Sequence, residues 1–428
     1  MKVFKKSGAV AALVALSLVA TACGGSSAKA VDFVFFGGIT ATGAPLVRSQ
    51  MTAAGLGDLA FMGGDGIVDG DSPESYVGTA GAAAANSFGS VAGINEELIP
   101  DAAGFAAKFE AEFGKAPGAY AASSYACTQV LLTAIGKAAV AGDVTRETVR
   151  ATAVDPAAKY DTALGSVTFD EVGDTTQRII SLYEVKDGKW GFVDQVNAGE
   201  DQTGGDKPAY GDASAGKVLK IGISLPLSGA SAASSEPARD GAILAINEAN
   251  ELGGVGGYTF EAVIKDHTGS DGSHAPDIAA ADMTAFVADA DVVGVVGPFN
   301  SGSAKAQIPV SNEAGLFQCS PSNTNPSLTI GEEGATLRAA NPDKINYVRL
   351  CSNDNFQGSA LAKYAYATLG LRSALVIDDT ETYGKGLADV FAEEFTKLGG
   401  TVVGREAAAK TTTDYAAILS KYVPVAAE

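Results

Sequence analysis

From residue 217 onward, short apolar runs alternate with longer stretches in which apolar residues recur every three or four positions. The first pattern predicts buried strands and the second amphipathic helices. Residues 220–225 read as a strand. Ala242, Ile243, Ile246 and Ala249 follow at helical spacing, and Gly253-Gly254 stops that helix. Strands are expected at 260–264, 291–297, 316–319, 374–377 and 401–403. Helices are expected between the first two of these and at 304–314, 387–398 and 415–422.

The first half keeps the same rhythm. Residues 33–36 and 59–62 read as strands around a helix at 45–54. Phe105, Phe109 and Phe113 line one helix face and Gly114 stops it, and a long helix covers 120–141. Apolar runs at 179–185 and 190–193 flank Asp187-Gly188, which signals a hairpin. Strand–helix alternation implies parallel sheets with helices on both faces. No segment is repeated, which excludes a tandem array.

The order of segments is unusual. Lys2, Lys5 and Lys6, an apolar run over 9–20 and small residues before Cys23 make residues 1–22 a signal peptide, too short to span a bilayer. The Ala-Thr-Ala-Cys junction resembles a bacterial lipobox, which implies a diacylglyceryl thioether on Cys23 and a short tether over 23–30. A second tether-like stretch, DQTGGDKPAYGDASAG at 201–216, lies in the middle of the chain, directly before the strand that reads as the start of a mature domain. The segment after the true leader starts abruptly on a strand, and the chain ends on a helix. The C-terminus and residue 31 are therefore expected to be neighbours.

Composition narrows the function. The 428 residues carry a net charge of −20, which excludes nucleic acid as a partner because that needs a basic stripe. Hydrophobic content of 46% supports real cores, and the length suits two or three domains. Cys319 and Cys351 each end a strand-like stretch and are expected to pair, the alternative being three free thiols with Cys127 as a small core residue. Neither a C-x-x-C motif nor a His-rich cluster is present, so no metal and no cofactor is expected. The two histidines, His267 and His274, share a polar loop and are expected to lie far from any site. No G-x-S-x-G, no H-E-x-x-H and no Ser/His/Asp set argues for an enzyme.

Read as 217–428 followed by 30–200, the chain resembles the periplasmic binding proteins of the branched-chain amino acid type, the solute receptors of ABC importers. The residues that carry the resemblance are KIGISLPLSG (220–229), DGAILAINEAN (240–250), GVVGPFNSGSA (294–304), CSPSNTNPSLT (319–329), DDTETYGKG (378–386), DFVFFGG (32–38), FMGGDG (61–66) and AYAASSYA (119–126). The resemblance implies two Rossmann-like parallel-sheet lobes joined by a three-strand hinge, circularly permuted. It places 94–174 and 217–352 in lobe one, and 30–93, 175–200 and 353–428 in lobe two, with 201–216 joining former ends. It implies a ligand closed between the lobes by hinge motion.

The same resemblance assigns the site. Ser301, Ser322, Asn323 and Thr324 would hold a ligand carboxylate, through hydroxyls and backbone N–H groups. From the residues alone, Ser and Thr at such places are ordinary helix caps. Asp65, beside Gly66, would bind the ligand ammonium, and the alternative is a turn aspartate. A calcium loop beginning at Asp65 is discounted because Ile67 occupies a ligand position. Tyr383 and Tyr120 would form apolar walls from opposite lobes. Ser234 and Ile39 stand where the family often has aromatics, which implies a roomier pocket. The function implied is capture of a branched-chain or similar amino acid for an ABC permease, outside the cytoplasm, with the membrane reached only through the lipid anchor. Alternatives are the same fold binding an amide, urea or aromatic acid, a ligand-sensing receptor domain, and a non-functional splice of two neighbouring chains.

Overall fold

The computed structural model describes residues 31–199, 202–214 and 216–423. The signal segment and Cys23 lie outside the described residues. Among the described residues two large sheets organise the chain, with a small antiparallel pair, Tyr160–Thr162 and Gly165–Val167, apart from them. One has seven strands in the order Thr401–Ala407, Ser373–Asp378, Phe33–Gly37, Ala60–Gly63, Ser87–Val91, Ile179–Lys186 and Lys189–Asn197. The first five are parallel, and the last two form an antiparallel edge hairpin. The other sheet is parallel throughout: Tyr347–Arg349, Phe317–Ser320, Val292–Val296, Val218–Leu225 and Thr259–Asp266.

An inner strand of the larger sheet, FVFFG, is buried on both faces, as a parallel strand covered by helices should be. Phe33, Phe391 and Phe395 pack their rings together beneath it. In the smaller sheet's half, the long helix Ala121–Ala141 is apolar almost all round and nearly fully buried. It packs against the helix Ala232–Glu251, where an Ala121 carbonyl fits against Gly241 so closely that no side chain could be added there.

Phe33 pairs with Ala374, so the beginning and the end of the described chain share one sheet. Asp32 accepts hydrogen bonds from the Arg372 and Ser373 N–H groups, and Tyr415 and Gln50 join the last helical segment to the first. The expected tether is not loose. Asp206 exchanges backbone bonds with Lys159 and Asp161, and Gly211 and Ala213 donate to Gly254 and Gly253.

The strand Ser87–Val91 was absent from the pattern because SFGSV has little apolar bulk, although the fold buries all five residues. The hairpin turn at Asp187-Gly188 has φ of 52° and 75°, which fits the turn that matches strand twist.

The cysteine expectation is overturned. Cys127 and Cys319 form the disulfide, and Cys351 is a buried free thiol that donates to the Asn323 carbonyl at 3.1 Å. Register explains this. Cys319 lies opposite Val348, so Cys351 is three residues farther along, about 10 Å at strand rise, beyond the reach of a disulfide. Cys127 instead faces the sheet from the buried side of its helix.

Candidate functional site

Three crossings between the sheets lie side by side, after Val91, before Ile179 and after Arg349. Ser352 N–H donates to Ala92 O and its hydroxyl to Ile179 O, while the Ser181 hydroxyl donates to Gly93 O. At this junction Arg349 is completely buried and spends all its donors. Nε and Nη2 hold Asp174 at 2.7 and 2.9 Å, Nη1 reaches the Asn323 and Asn325 carbonyls, and Nη2 also reaches the Thr329 hydroxyl. Burial alone would raise the Asp174 carboxyl, but the Arg349 charge and the hydrogen bonds from Arg349, Asn353 and Thr329 together outweigh it and hold it below its ordinary value. The pair fixes the loop 323–325 to the hinge.

Asp65 lies one layer away, in the turn Asp65–Ile67 that follows the strand Ala60–Gly63. Its carboxylate receives three side-chain donors: Tyr383 OH at 2.8 Å, Gln357 Nε2 at 2.7 Å and Tyr120 OH at 2.9 Å. The tyrosines are themselves oriented, since Gly66 N–H donates to Tyr383 and Ala92 N–H to Tyr120. Tyr120 holds φ of 67° just before its helix, a conformation that costs a non-glycine residue about 1–3 kcal/mol and is usually kept for a purpose. Its ring meets Phe299 edge to face. Burial pushes Asp65 up to about 6, and the two tyrosine hydroxyls pull it back toward the ionised form. Ile39 packs on Gly66.

Asp354 opens the helix Asp354–Lys363 and is buried even more deeply. Burial drives its carboxyl well above the usual range, and the nearby Asp65 charge adds to the effect. Among the described residues, no lysine, arginine or histidine forms an ion pair with Asp65 or Asp354. Burying acids without a cation is expensive, so this centre is built for positive charge.

The opposite pole is the start of the helix Ser301–Glu313. Asn300 precedes it without capping it, and its Oδ1 is buried without a partner. Uncapped N–H groups and the helix dipole favour an anion there. Ser301 Oγ accepts from Asn325 N–H at 3.3 Å, and the neighbouring Thr324 hydroxyl is buried without a hydrogen-bond partner. Ser322 and Asn323 are engaged otherwise. Both N–H groups go to Ser320 Oγ, and both side chains donate to Phe299 O. Ser234 donates back to the Ser231 carbonyl just before its helix, and among the described residues no hydrogen bond links it to the Asp65 centre.

The structure thus brings Asp65, Gly66, Tyr120, Tyr383 and Ile39 together. Ser301 and Thr324 lie at the second pole, next to them through the Thr324–Asp354 backbone bond of 2.8 Å. Asp354 and Gln357 were missed. Asp-Asn-Phe-Gln after Asn353 reads as a capped helix start, with both polar residues on one face, and nothing in that pattern says the face is buried. The histidine expectation also needs correction. His267 is a core residue held near 3 by burial, and it meets Ser224. His274 sits against Gly302, next to Ser301, and 3.5 Å from Glu381 of the other sheet's half. The loop folds back over the cleft edge.

The profile of the periplasmic binding protein family matches residues 23–189 and 218–423. An amino acid binding protein of Pseudomonas aeruginosa is 31% identical over 201 residues, 47% of this chain and 50% of its own length. A Leu/Ile/Val-binding protein homolog of Brucella abortus is 31% identical over 213 residues, 50% of this chain and 53% of its own. The chain spans about half the length of the curated relatives it matches. Among solved structures, the branched-chain amino acid transporter substrate binding protein LivJ from Streptococcus pneumoniae, in complex with isoleucine, is 31% identical over 48% of this chain and 53% of that one, with a TM-score of 0.40. A leucine binding protein from Thermotoga maritima is 27% identical over 48% and 54%, with a TM-score of 0.39.

Proposed function

The chain belongs to the periplasmic binding protein family, and on that premise we propose that it captures a small amino acid between its two sheets and hands it to an ABC importer. Leucine, isoleucine and valine are the leading ligands. The observation that carries this reading is the pair of buried acids, Asp65 and Asp354, with no cationic partner, beside a helix start with unspent donors. One pole suits an ammonium and the other a carboxylate, as in a free amino acid. An amide, urea or aromatic acid leaves the acids without a counter-charge.

The ligand would approach from the open side, and the halves would close about the three crossings. No covalent step is assigned, and the family is one of solute-binding proteins. It is also one of extracytoplasmic proteins, and in this reading Cys23 adds a lipid anchor. Residues 94–174 with 217–352 form one lobe, and 30–93 with 175–200 and 353–428 the other. The segment 201–216 joins former ends of a permuted chain. The adjacency of Asp32 and Ser373 supports this order.

Calorimetric titration of the purified chain with a panel of amino acids, amides and aromatic acids tests the function. Saturable binding of an amino acid is expected, and it should vanish in Asp65→Ala. Undiminished binding by that variant overturns the reading. A monomeric mass with ligand-dependent thermal stabilisation is expected of a permuted chain, and an obligate dimer counts against it.

A further inference from the structure

Around Asp65 the acceptors outnumber the donors. Gln357 stands one helical turn from Asp354, and its Nε2 reaches Asp65 Oδ1 at 2.7 Å and Asp354 Oδ1 at 3.4 Å. With two carboxylates before it, the amide must present its NH2 to them and turn its oxygen elsewhere. That oxygen, Gln357 Oε1, is buried without a hydrogen-bond partner, and so are Asp354 Oδ2 and Thr324 Oγ1. All three residues are at most 1% exposed. Folded proteins leave only a few such atoms unmet, usually scattered singly, and here they stand together. The Thr324 hydroxyl faces the Asp354 carboxyl and can donate to it, whereas Gln357 Oε1 and Asp354 Oδ2 only accept, and two such acceptors beside the Asp65 carboxylate call for a ligand with several donors.

We infer that Asp354 and Gln357 are specificity-determining ligand contacts that complete, with Asp65, a cradle for an unsubstituted primary ammonium. This inference rests on the amino-acid reading above. A carboxylate offers about four lone-pair sites, and three on Asp65 are already taken by Tyr383, Gln357 and Tyr120. Asp65 can therefore accept about one N–H from the ligand, while a primary ammonium has three to place. Asp354 Oδ2 and Gln357 Oε1 take the other two. Arg349, the cation whose charge acts on Asp354, is committed to Asp174 and does not compete.

The arrangement selects by hydrogen count. A secondary amine, as in proline or an N-methyl amino acid, leaves one buried acceptor unmet and presses carbon against it. A site built to hydrogen-bond a group rejects analogues lacking it far more strongly than an apolar pocket rejects a missing methylene.

Calorimetry on the full chain separates the two claims. The probes are leucine, isoleucine, valine and alanine, the N-methyl derivative of whichever binds most tightly, and proline. The wild type is expected to bind the primary amino acid at least thirtyfold more tightly than its N-methyl derivative. Asp354→Asn keeps shape but removes charge, and it should lose at least tenfold for the primary amino acid. Gln357→Met should lose affinity and narrow the N-methyl discrimination. Melting curves without ligand establish that each variant folds, and the N-methyl comparison on the wild type stands even if one does not. Equal binding of primary and N-methyl forms, or unchanged affinity in Asp354→Asn, overturns the inference alone. No binding of any amino acid by the folded wild type overturns the amino-acid reading as well.

Discussion

Two buried acids near the hinge, Asp174 and Asp65, meet opposite surroundings. Asp174 has Arg349 on both oxygens, the Asn353 amide beside it, and a carboxyl held below its ordinary value. Asp65 has only neutral donors, a second acid nearby and a carboxyl pushed up to about 6. A buried charge must be compensated. The first site is compensated within the chain and serves to hold the loop 323–325. The second is complete only with a cation from outside. The contrast separates structure from binding although both residues are almost fully buried.

The largest effect is expected from breaking the paired site. Arg349→Met leaves Asp174 unpaired and should lower stability by about 3–5 kcal/mol, read from the urea midpoint. A loss under about 1 kcal/mol would mean that Asp174 finds other partners. Next comes the covalent support of the same half. Cys127→Ala with Cys319→Ala should remove about 2–5 kcal/mol while leaving ligand affinity within threefold in calorimetry.

The unpaired site should respond the other way. Asp65→Asn is expected to cost about 2–5 kcal/mol of ligand affinity with no loss of unliganded melting temperature, because it removes a buried charge that nothing balances. A variant that melts lower without ligand would show that Asp65 is structural.

Acidity sharpens the contrast. The Asp65 carboxyl is raised in the folded chain, so its contribution to unliganded stability is full below about 4 and is lost as pH rises through about 6. Ammonium binding needs the ionised form, so affinity should instead fall about tenfold, ~1.4 kcal/mol, for each pH unit below about 6. Asp174 is held low, and its contribution is present above its ordinary value and lost in acid. Titrations between pH 5 and 8 check the sign, and an affinity independent of pH in that range counts against Asp65 as the ammonium partner.

The smallest effect lies at the rim. Glu381→Gln removes the partner of His274 across the two halves and should speed ligand release no more than about fivefold, given that partly exposed pairs contribute about 1 kcal/mol or less. Stopped-flow release measures it.

Much of the fold was legible because strand and helix periods differ and the chain states them plainly, as in FVFFG and in the Phe105, Phe109 and Phe113 row. The strand Ser87–Val91 escaped because small residues and glycine carry no period. Asp65, Tyr383, Ser301 and Thr324 are singled out by the family resemblance; their places just past strands, where ligands of parallel sheets lie, agree with it but by themselves read as caps and turns.

The sequence by itself determined the alternation of elements, the α/β class, the acidic charge and the turn residues that frame the site. Each of these is a local property, set by neighbours within a few positions. Only the tertiary structure decided that Cys319 joins Cys127 instead of Cys351, that His274 reaches Glu381, and that Asp354 and Gln357 turn inward to Asp65. These contacts join residues 107 to 292 positions apart, and packing, not periodicity, selects which face of a helix is buried and what it meets there.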